Sequence, residues 1–316
     1  MAWDRIQLND GTSIPSVAYG TGRLGGVDSV VGWVKQAISA GFIHIDTAQG
    51  YKNEEQTGKG ILESGLPRED LYITTKFSGR DGLSVPEAFE QSLAKLGVGY
   101  VDLYLIHHPS YAKPDIPSAW AQMEKLKEGG FTKNIGVSNF NVEQLQAILN
   151  IAKIKPVTNQ VGLQLDLRFR DKTEADSSHA LVMCLKIQLQ PYNYVVQVPV
   201  IELGNKHGIV TEGYSPLASI RAYPGGPVDK PVSEIATRLG CTPEQVLMVW
   251  AKSKGIVVIT SSRDKKRVDA FFAAGALVLT SEDNAAIDSA GKNGEQWWRA
   301  CVEAGKVLPY NPSDYE

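Results

Sequence analysis

Val101-Asp102-Leu103-Tyr104-Leu105-Ile106-His107 is a short run of branched apolar residues that stops at a histidine. Periodicity cannot tell such a run from a piece of buried helix, so its flanks decide. On either side, Pro86 to Leu96 and Pro117 to Lys127 carry apolar residues at helical spacing. The run therefore reads as a strand between two helices. The same pattern recurs outward at Ile14 to Gly20, Phe42 to Asp46, Leu71 to Lys76, Asn134 to Asn139, Val157 to Gln160, Ile209 to Ser215 and Ile256 to Ser261. Helical patterns at Val30 to Ala40, Asn53 to Leu62, Val142 to Ile151, Val196 to Lys206, Val232 to Leu239 and Arg267 to Ala274 fill the remaining gaps. Strict alternation predicts parallel strands joined by right-handed crossovers and covered by helices. Eight such units predict an α/β protein of the closed (β/α)8 TIM-barrel type, a single domain over residues 1–316. Ile6-Gln7-Leu8-Asn9-Asp10-Gly11-Thr12 predicts one arm and the Asp-Gly turn of an N-terminal hairpin that plugs the barrel's bottom.

Composition narrows the partners. Hydrophobic residues make up 43% of the 316 and charged residues 21%, enough to build a core and too balanced for disorder. A net charge of −3 with no long run of one sign gives nucleic acid or an anionic membrane nothing to hold. Cys184, Cys241 and Cys301 form neither a zinc pattern nor a disulfide framework, so no metal is expected and a reducing compartment is. The first residues lack an apolar signal core, and no stretch of about 18 apolar residues occurs. The expectation is a soluble cytoplasmic protein.

Two motifs compete with this reading. Gly20-Thr21-Gly22-Arg23-Leu24-Gly25 matches the dinucleotide fingerprint Gly-x-Gly-x-x-Gly, with Asp46 at the end of the next strand. A Rossmann half-domain leaves unexplained why chemically competent residues end all the later strands. Tyr72-Ile73-Thr74-Thr75-Lys76 spells the Tyr-x-x-x-Lys pair of short-chain dehydrogenases, which works on a helix. On a strand the two side chains stand roughly 13 Å apart, so Tyr72 reads as packing.

In a TIM barrel, side chains at the carboxyl ends of the strands converge on one mouth. There Asp46, Tyr51, Lys76 and His107 include no nucleophile elbow and no metal spacing. A phenol titrates near 10, and an adjacent ammonium favours its ionised form. Lys76, held by Asp46, is the natural tuner of Tyr51 as a proton donor to a carbonyl oxygen, and His107 suits orienting that carbonyl.

The stretches Asp46-Thr47-Ala48-Gln49-Gly50-Tyr51, Val101 to Pro109, Ile135-Gly136-Val137-Ser138-Asn139-Phe140 and Gly213-Tyr214-Ser215-Pro216-Leu217 resemble the aldo-keto reductases over nearly the full chain. The Thr-Ser-Ser and Thr-Glu-Gly-Tyr-Ser variants are most similar to the fungal reductases of α-keto amides and conjugated polyketones. The resemblance implies a barrel that binds NADPH, with NADH as the alternative, reduces small-molecule aldehydes or ketones, and works as a monomer, as members of the family often do. It implies Tyr51 as general acid, Asp46 and Lys76 as its tuning pair, and His107 orienting the carbonyl. Asp46, Ser138, Asn139 and Gln160 are implied around the nicotinamide, with Tyr214 stacked on it. Thr21 and Gly22 stand at the first strand's mouth, and Ser215 and Leu217 lead into the loop over the pyrophosphate. Ser261, Ser262 and Arg267 stand where relatives hold the 2′-phosphate, although many have Pro-Lys-Ser where this chain has Thr260-Ser261-Ser262; the hydroxyls and the following helix N-terminus are expected to suit the phosphate. Gly22 and His108 replace two aromatic walls common in relatives, and Tyr51, His107 and His108 are the expected substrate contacts. A second reading is a nicotinamide-binding sensor or regulatory subunit with little turnover, as in the channel-associated branch of the superfamily.

Strand ends follow at intervals of 22 to 31 residues, except for 54 from Gln160 to Tyr214 and 47 from Tyr214 to Ser261. Removing Val161 to Lys186 shortens the first of these to 28 and joins Asn159-Gln160 to Ile187-Gln188-Leu189-Gln190-Pro191. The segment 161–186 is thus an anomalous insertion. It opens with valine, whose codons start GT, and closes with lysine, one of whose codons ends AG. A translated intron and a genuine lid loop both fit. Its polar stretch Asp171 to His179 is expected to loop into solvent.

Overall fold

The computed structural model describes residues 3–22, 24, 29–79, 82–161, 164–168, 182–186 and 189–303, the backbone alone for 164–168, 182–186 and 303. A hairpin opens the chain, β1 (Arg5–Gln7) against β2 (Ser13–Pro15). Then come β3 (Val17–Gly20), α1 (Val30–Ala40), β4 (His44–Asp46), α2 (Glu54–Ser64), β5 (Tyr72–Phe77), α3 (Val85–Leu96), β6 (Val101–Ile106) and α4 (Ile116–Glu128). β7 (Thr132–Ser138), α5 (Val142–Leu149) and β8 (Thr158–Val161) follow, then the antiparallel pair β9 (Gln164–Arg168) and β10 (Val182–Lys186). The chain continues through α6 (Pro191–Lys206), β11 (Val210–Tyr214), α7 (Ala218–Arg221), α8 (Asp229–Leu239), α9 (Pro243–Ser253), β12 (Val257–Thr260) and α10 (Lys265–Ala273), and ends with α11 (Ser281–Asn293) and α12 (Glu295–Glu303).

Strands β3 to β8, β11 and β12 close into a parallel eight-stranded barrel, as the alternation predicts. Alternation along each strand sorts side chains between two cores. On β5, Ile73 and Phe77 pack outward under the helices, while Tyr72 belongs to the inner cluster and Lys76 shares its parity. That inner cluster, with Leu103, Leu105, Val157, Val210 and Val257, is capped from below by Leu8 and Ile14 of the hairpin. The plug expectation holds, and the hairpin closes the end of the barrel opposite the mouth. Helix starts are written locally: Ser84 with Glu87, Asn141 with Gln144, Thr242 with Gln245 and Thr280 with Asp283 form reciprocal capping boxes. Each cap contributes about 1 kcal/mol.

Three readings change. The run Ile14 to Gly20 is two strands, the hairpin's second arm and the first barrel strand, because the chain bends at Ser16 between them. The long step before the last barrel strand holds α7, α8 and α9, of which only α8 was expected. α9 buries Val246 to Ala251 without a break, although Thr242-Pro243-Glu244-Gln245 announces its start. The tail forms α11 and α12, neither of which was expected, with Trp298 fully buried. Of the insertion, Val161 is the last residue of β8 and pairs with Gly213, which puts it in the barrel wall. Residues 162–163 and 169–181, including the expected solvent loop, and 187–188 lie outside the described residues.

Candidate active site

Three strand ends and one short turn bring the chemistry together. Asp46 is the last residue of β4, Lys76 stands one before the end of β5, and His107 follows β6, its N–H donating to Phe77 O at 3.1 Å. Tyr51 closes a single 3₁₀ turn, Gln49–Tyr51, beyond β4. That turn is pinned by Gln49, whose Oε1 accepts from Ser78 N at 3.1 Å and Ser78 Oγ at 2.8 Å.

Lys76 is fully buried, and its Nζ donates to Asp46 Oδ1 at 2.6 Å and to Thr47 O at 2.8 Å. The same ammonium lies 5.1 Å from the centroid of the Tyr51 ring. Burial works against its charge, but Asp46 and Tyr51 together outweigh burial and hold Lys76 above the ordinary lysine value. Tyr51 meets the His107 ring edge-on, centroids 5.5 Å apart at 84°. Both rings are half-buried, one end in the barrel and the other at the mouth. Phenol, amine, carboxylate and imidazole thus share one site, and the spatial separation proposed for Tyr72 and Lys76 is real in effect: Tyr72 packs on His44 at the floor, 4.7 Å between centroids. His44 donates to or accepts from Thr74 Oγ1 at 2.9 Å, and burial pushes it down to about 3, a neutral structural imidazole.

The residues expected around a nicotinamide form a second layer. Ser138 Oγ donates to Gln160 O at 2.9 Å, and Asn139 Nδ2 donates to His107 O and Ser138 Oγ, both at 2.9 Å. Tyr214 Oη donates to Asn139 Oδ1 at 3.2 Å, so the half-buried ring at the end of β11 is fixed across the mouth. Gln160 Nε2 donates to Asp46 Oδ2 at 2.9 Å. Non-glycine residues with left-handed backbone among those described are Lys52, Asn139 and Ser215, one beside Tyr51 and one after each of β7 and β11. Such strain, about 1–3 kcal/mol a residue, gathers where a site overrides local preference.

Other expected contacts fall differently. Thr21 is buried, its hydroxyl donating to Thr47 Oγ1 at 2.8 Å, and so holds the first two strands together. Gly22 faces Tyr51: a Cβ there would stand 3.0 Å from Tyr51 Cζ, so the glycine keeps one side of the phenol clear. Arg23 and Gly25 of the glycine motif lie outside the described residues. Leu217 is buried at the start of α7. Ser261 is half-buried, but Ser262 is turned inward, its Oγ accepting from Asp264 N at 3.1 Å and its carbonyl from Tyr19 Oη at 2.7 Å. The N-terminal amides of α10 are not open to a phosphate either, because Asp264 Oδ1 accepts from Lys266 N at 2.7 Å and Arg267 N at 3.2 Å. What remains for an anion there is side-chain charge, Arg267 lying over Phe271 and Arg263 over Trp33. His108 takes Ser110 N on its Nδ1 at 3.2 Å and borders a cavity of about 430 Å³ shared with Asn139, Phe140, Val161, Gln197 and Val200.

Sequence reading missed Glu212, Gln49 and Thr47. Glu212 had a signal, a carboxylate inside an apolar strand at the parity of Tyr214; the carbonyl of Thr47 had none.

A parallel barrel whose mouth gathers a buried Lys-Asp pair, a phenol and an imidazole defines a class of proton-transfer enzymes built on strand ends. Residues 16–292 match the model of the Aldo/keto reductase family. The NAD/NADP-dependent indole-3-acetaldehyde reductase of Schizosaccharomyces pombe is 33% identical over 296 residues, 90% of this chain and 94% of that protein. The crystal structure of Bombyx mori aldo-keto reductase AKR2E4 in complex with NADP superposes with a TM-score of 0.76 at 33% identity, covering 90% of this chain and 92% of that one. An aldo/keto reductase from Brucella melitensis gives 0.75 at 32% identity, over 91% and 97%. The chain belongs to the aldo/keto reductase family, and with it to the enzymes that reduce carbonyl compounds with NAD(P)H.

Proposed function

We propose that this chain reduces small aldehydes and ketones, α-keto and dicarbonyl compounds among them, with Tyr51 as the general acid and NADPH preferred to NADH. The observation that carries the reading is the fully buried Lys76 ammonium, tied to Asp46 and 5.1 Å from the Tyr51 ring. The residues fit a nicotinamide: Tyr214 offers a ring face fixed by Asn139, and Gly22 leaves the phenol uncovered. When bound, the reduced cofactor supplies a hydride to the carbonyl carbon. Tyr51 supplies the proton to the oxygen, and Lys76 stabilises the phenolate that remains, because an ammonium nearby lowers the work of ionising a phenol. His107, edge-on to Tyr51, holds the carbonyl oxygen toward it. Arg263 and Arg267 favour the cofactor with the extra phosphate through charge alone. The cavity beside His108 and Asn139 leaves room for a substituent on the carbonyl. The protein works as a cytoplasmic monomer.

Loss of reduced-nicotinamide absorbance with a panel of aldehydes and α-dicarbonyls tests the reading, alongside side-by-side titrations with NADPH and NADH. Tyr51→Phe is expected to abolish turnover and leave cofactor affinity within twofold or so. Cofactor binding without turnover across the panel would instead make the chain a sensor.

A further inference from the structure

One ionisable group in the barrel has no part in that scheme. Glu212 sits on β11 two residues below Tyr214, fully buried and in register with Gln160 of β8. The Gln160 amide spans two carboxyls: its Nε2 donates to Asp46 Oδ2 at 2.9 Å and to Glu212 Oε2 at 3.3 Å. Asp46 uses its other oxygen for Lys76, so an unbroken line of contacts runs from Glu212 through Gln160, Asp46 and Lys76 to the Tyr51 ring. The charged and titratable groups acting on Glu212 are Asp46 from β4, Lys76 and Tyr72 from β5, and beside them Thr158 and Gln160 from β8. Two carboxyls therefore share one ammonium in a dry interior, and like charges held that way do not both ionise freely.

We propose that Glu212 is a positioning residue that sets the pH range of the reduction, adding or withholding negative charge behind the Asp46 and Lys76 pair that tunes Tyr51. The proposal rests on Tyr51 being the proton donor. Burial, then Asp46, pushes Glu212 up to about 7, so its charge changes inside the working range. With Glu212 neutral, Asp46 and Lys76 cancel. With it ionised, the interior gains a net negative charge, and Tyr51 keeps its proton to higher pH. Reduction needs that proton, so Glu212 extends reduction toward alkaline conditions and opposes the reverse reaction, which starts from the phenolate.

The test is Glu212→Gln, which keeps the shape and removes the charge. The alkaline limb of kcat/KM for reduction is expected to move down by about one pH unit, the order Coulomb's law gives for a charge acting through several intervening groups in a medium of effective dielectric about 20. Independently of turnover, the phenolate absorbance that Tyr51→Phe abolishes should titrate lower by the same amount, and Glu212→Asp should restore both. If E212Q does not fold, Thr158→Val removes the hydroxyl beside Glu212 and should move both readouts in the same direction, less far. Active variants with an unmoved limb and an unmoved phenolate titration overturn the proposal. A shifted phenolate titration in a protein that reduces no carbonyl upholds the Glu212 coupling and overturns the reductase reading instead.

Discussion

Replacing Lys76 with methionine separates the amine's two roles. Methionine fills most of the lysine volume, but Asp46 Oδ1 and Thr47 O lose donors at 2.6 and 2.8 Å in a fully buried position. Removing one partner of a buried pair costs about 3–5 kcal/mol, because the other charge stays behind. The effect on chemistry follows from the 5.1 Å between the ammonium and the phenol ring. At an effective dielectric of about 20, a unit charge at that distance acts on a phenolate with about 3 kcal/mol, or about two pH units on its titration. Lys76→Met should therefore lower kcat for aldehyde reduction by about ten- to a hundredfold and raise the alkaline limb by up to about two units. The thermal midpoint should fall as well. In the double variant Asp46→Asn/Lys76→Met, no charge is stranded, so the melting temperature should largely recover while kcat does not. Steady-state rates at saturating cofactor, paired with thermal melts, read both effects. A single variant that melts low but keeps the parent's kcat and pH profile would refute the role of Lys76 as tuner and leave it a structural residue.

Gly22→Trp places an indole where a bare Cβ already stands 3.0 Å from Tyr51 Cζ, so kcat/KM for bulky ketones should drop at least tenfold while small aldehydes are less affected. Folding should carry a pH signature from Glu212: its folded pKa of about 7 lies above the ordinary 4.5, so its stabilisation is full below about 4.5 and is lost as pH rises through 7. That loss is about 3 kcal/mol, and Glu212→Gln should flatten the denaturant midpoint across this window. Deleting residues 161–186 puts Ile187 in the place of Val161 opposite Gly213, and we expect a folded barrel with higher turnover than the full chain; equal turnover by the two would refute the expectation that the insertion lowers activity. A spliced message that contains the corresponding codons would end the intron reading and leave the lid loop.

The barrel and its four catalytic candidates were legible because each depends on local pattern. A run such as Val101 to His107 between helical stretches is strand by its flanks, and position at a strand's end already places Asp46, Lys76 and His107 at one mouth. Helix starts were legible where capping boxes announce them, and α9 was missed despite its box because Val246 to Ala251 is one unbroken apolar run, which pattern alone does not assign to helix or strand. Register was beyond reach, since it is set by how eight strands tilt and stagger on closing. That is why nothing in the chain's order pairs Glu212 with Gln160, or places the Gln160 amide between two carboxyls 166 residues apart. The fate of the anion ligands near α10 was equally hidden: Ser262 and the helix N-terminus look open to a phosphate in the chain, but in the folded turn the Ser262 hydroxyl accepts from Asp264 N, and the amides of Lys266 and Arg267 donate to the Asp264 carboxylate. Sequence alone determined which side chains arrive at the mouth, because strand parity and strand ends are local properties. Tertiary structure alone decided which of them remain free to act, because hydrogen bonding and charge in a closed interior depend on every wall at once.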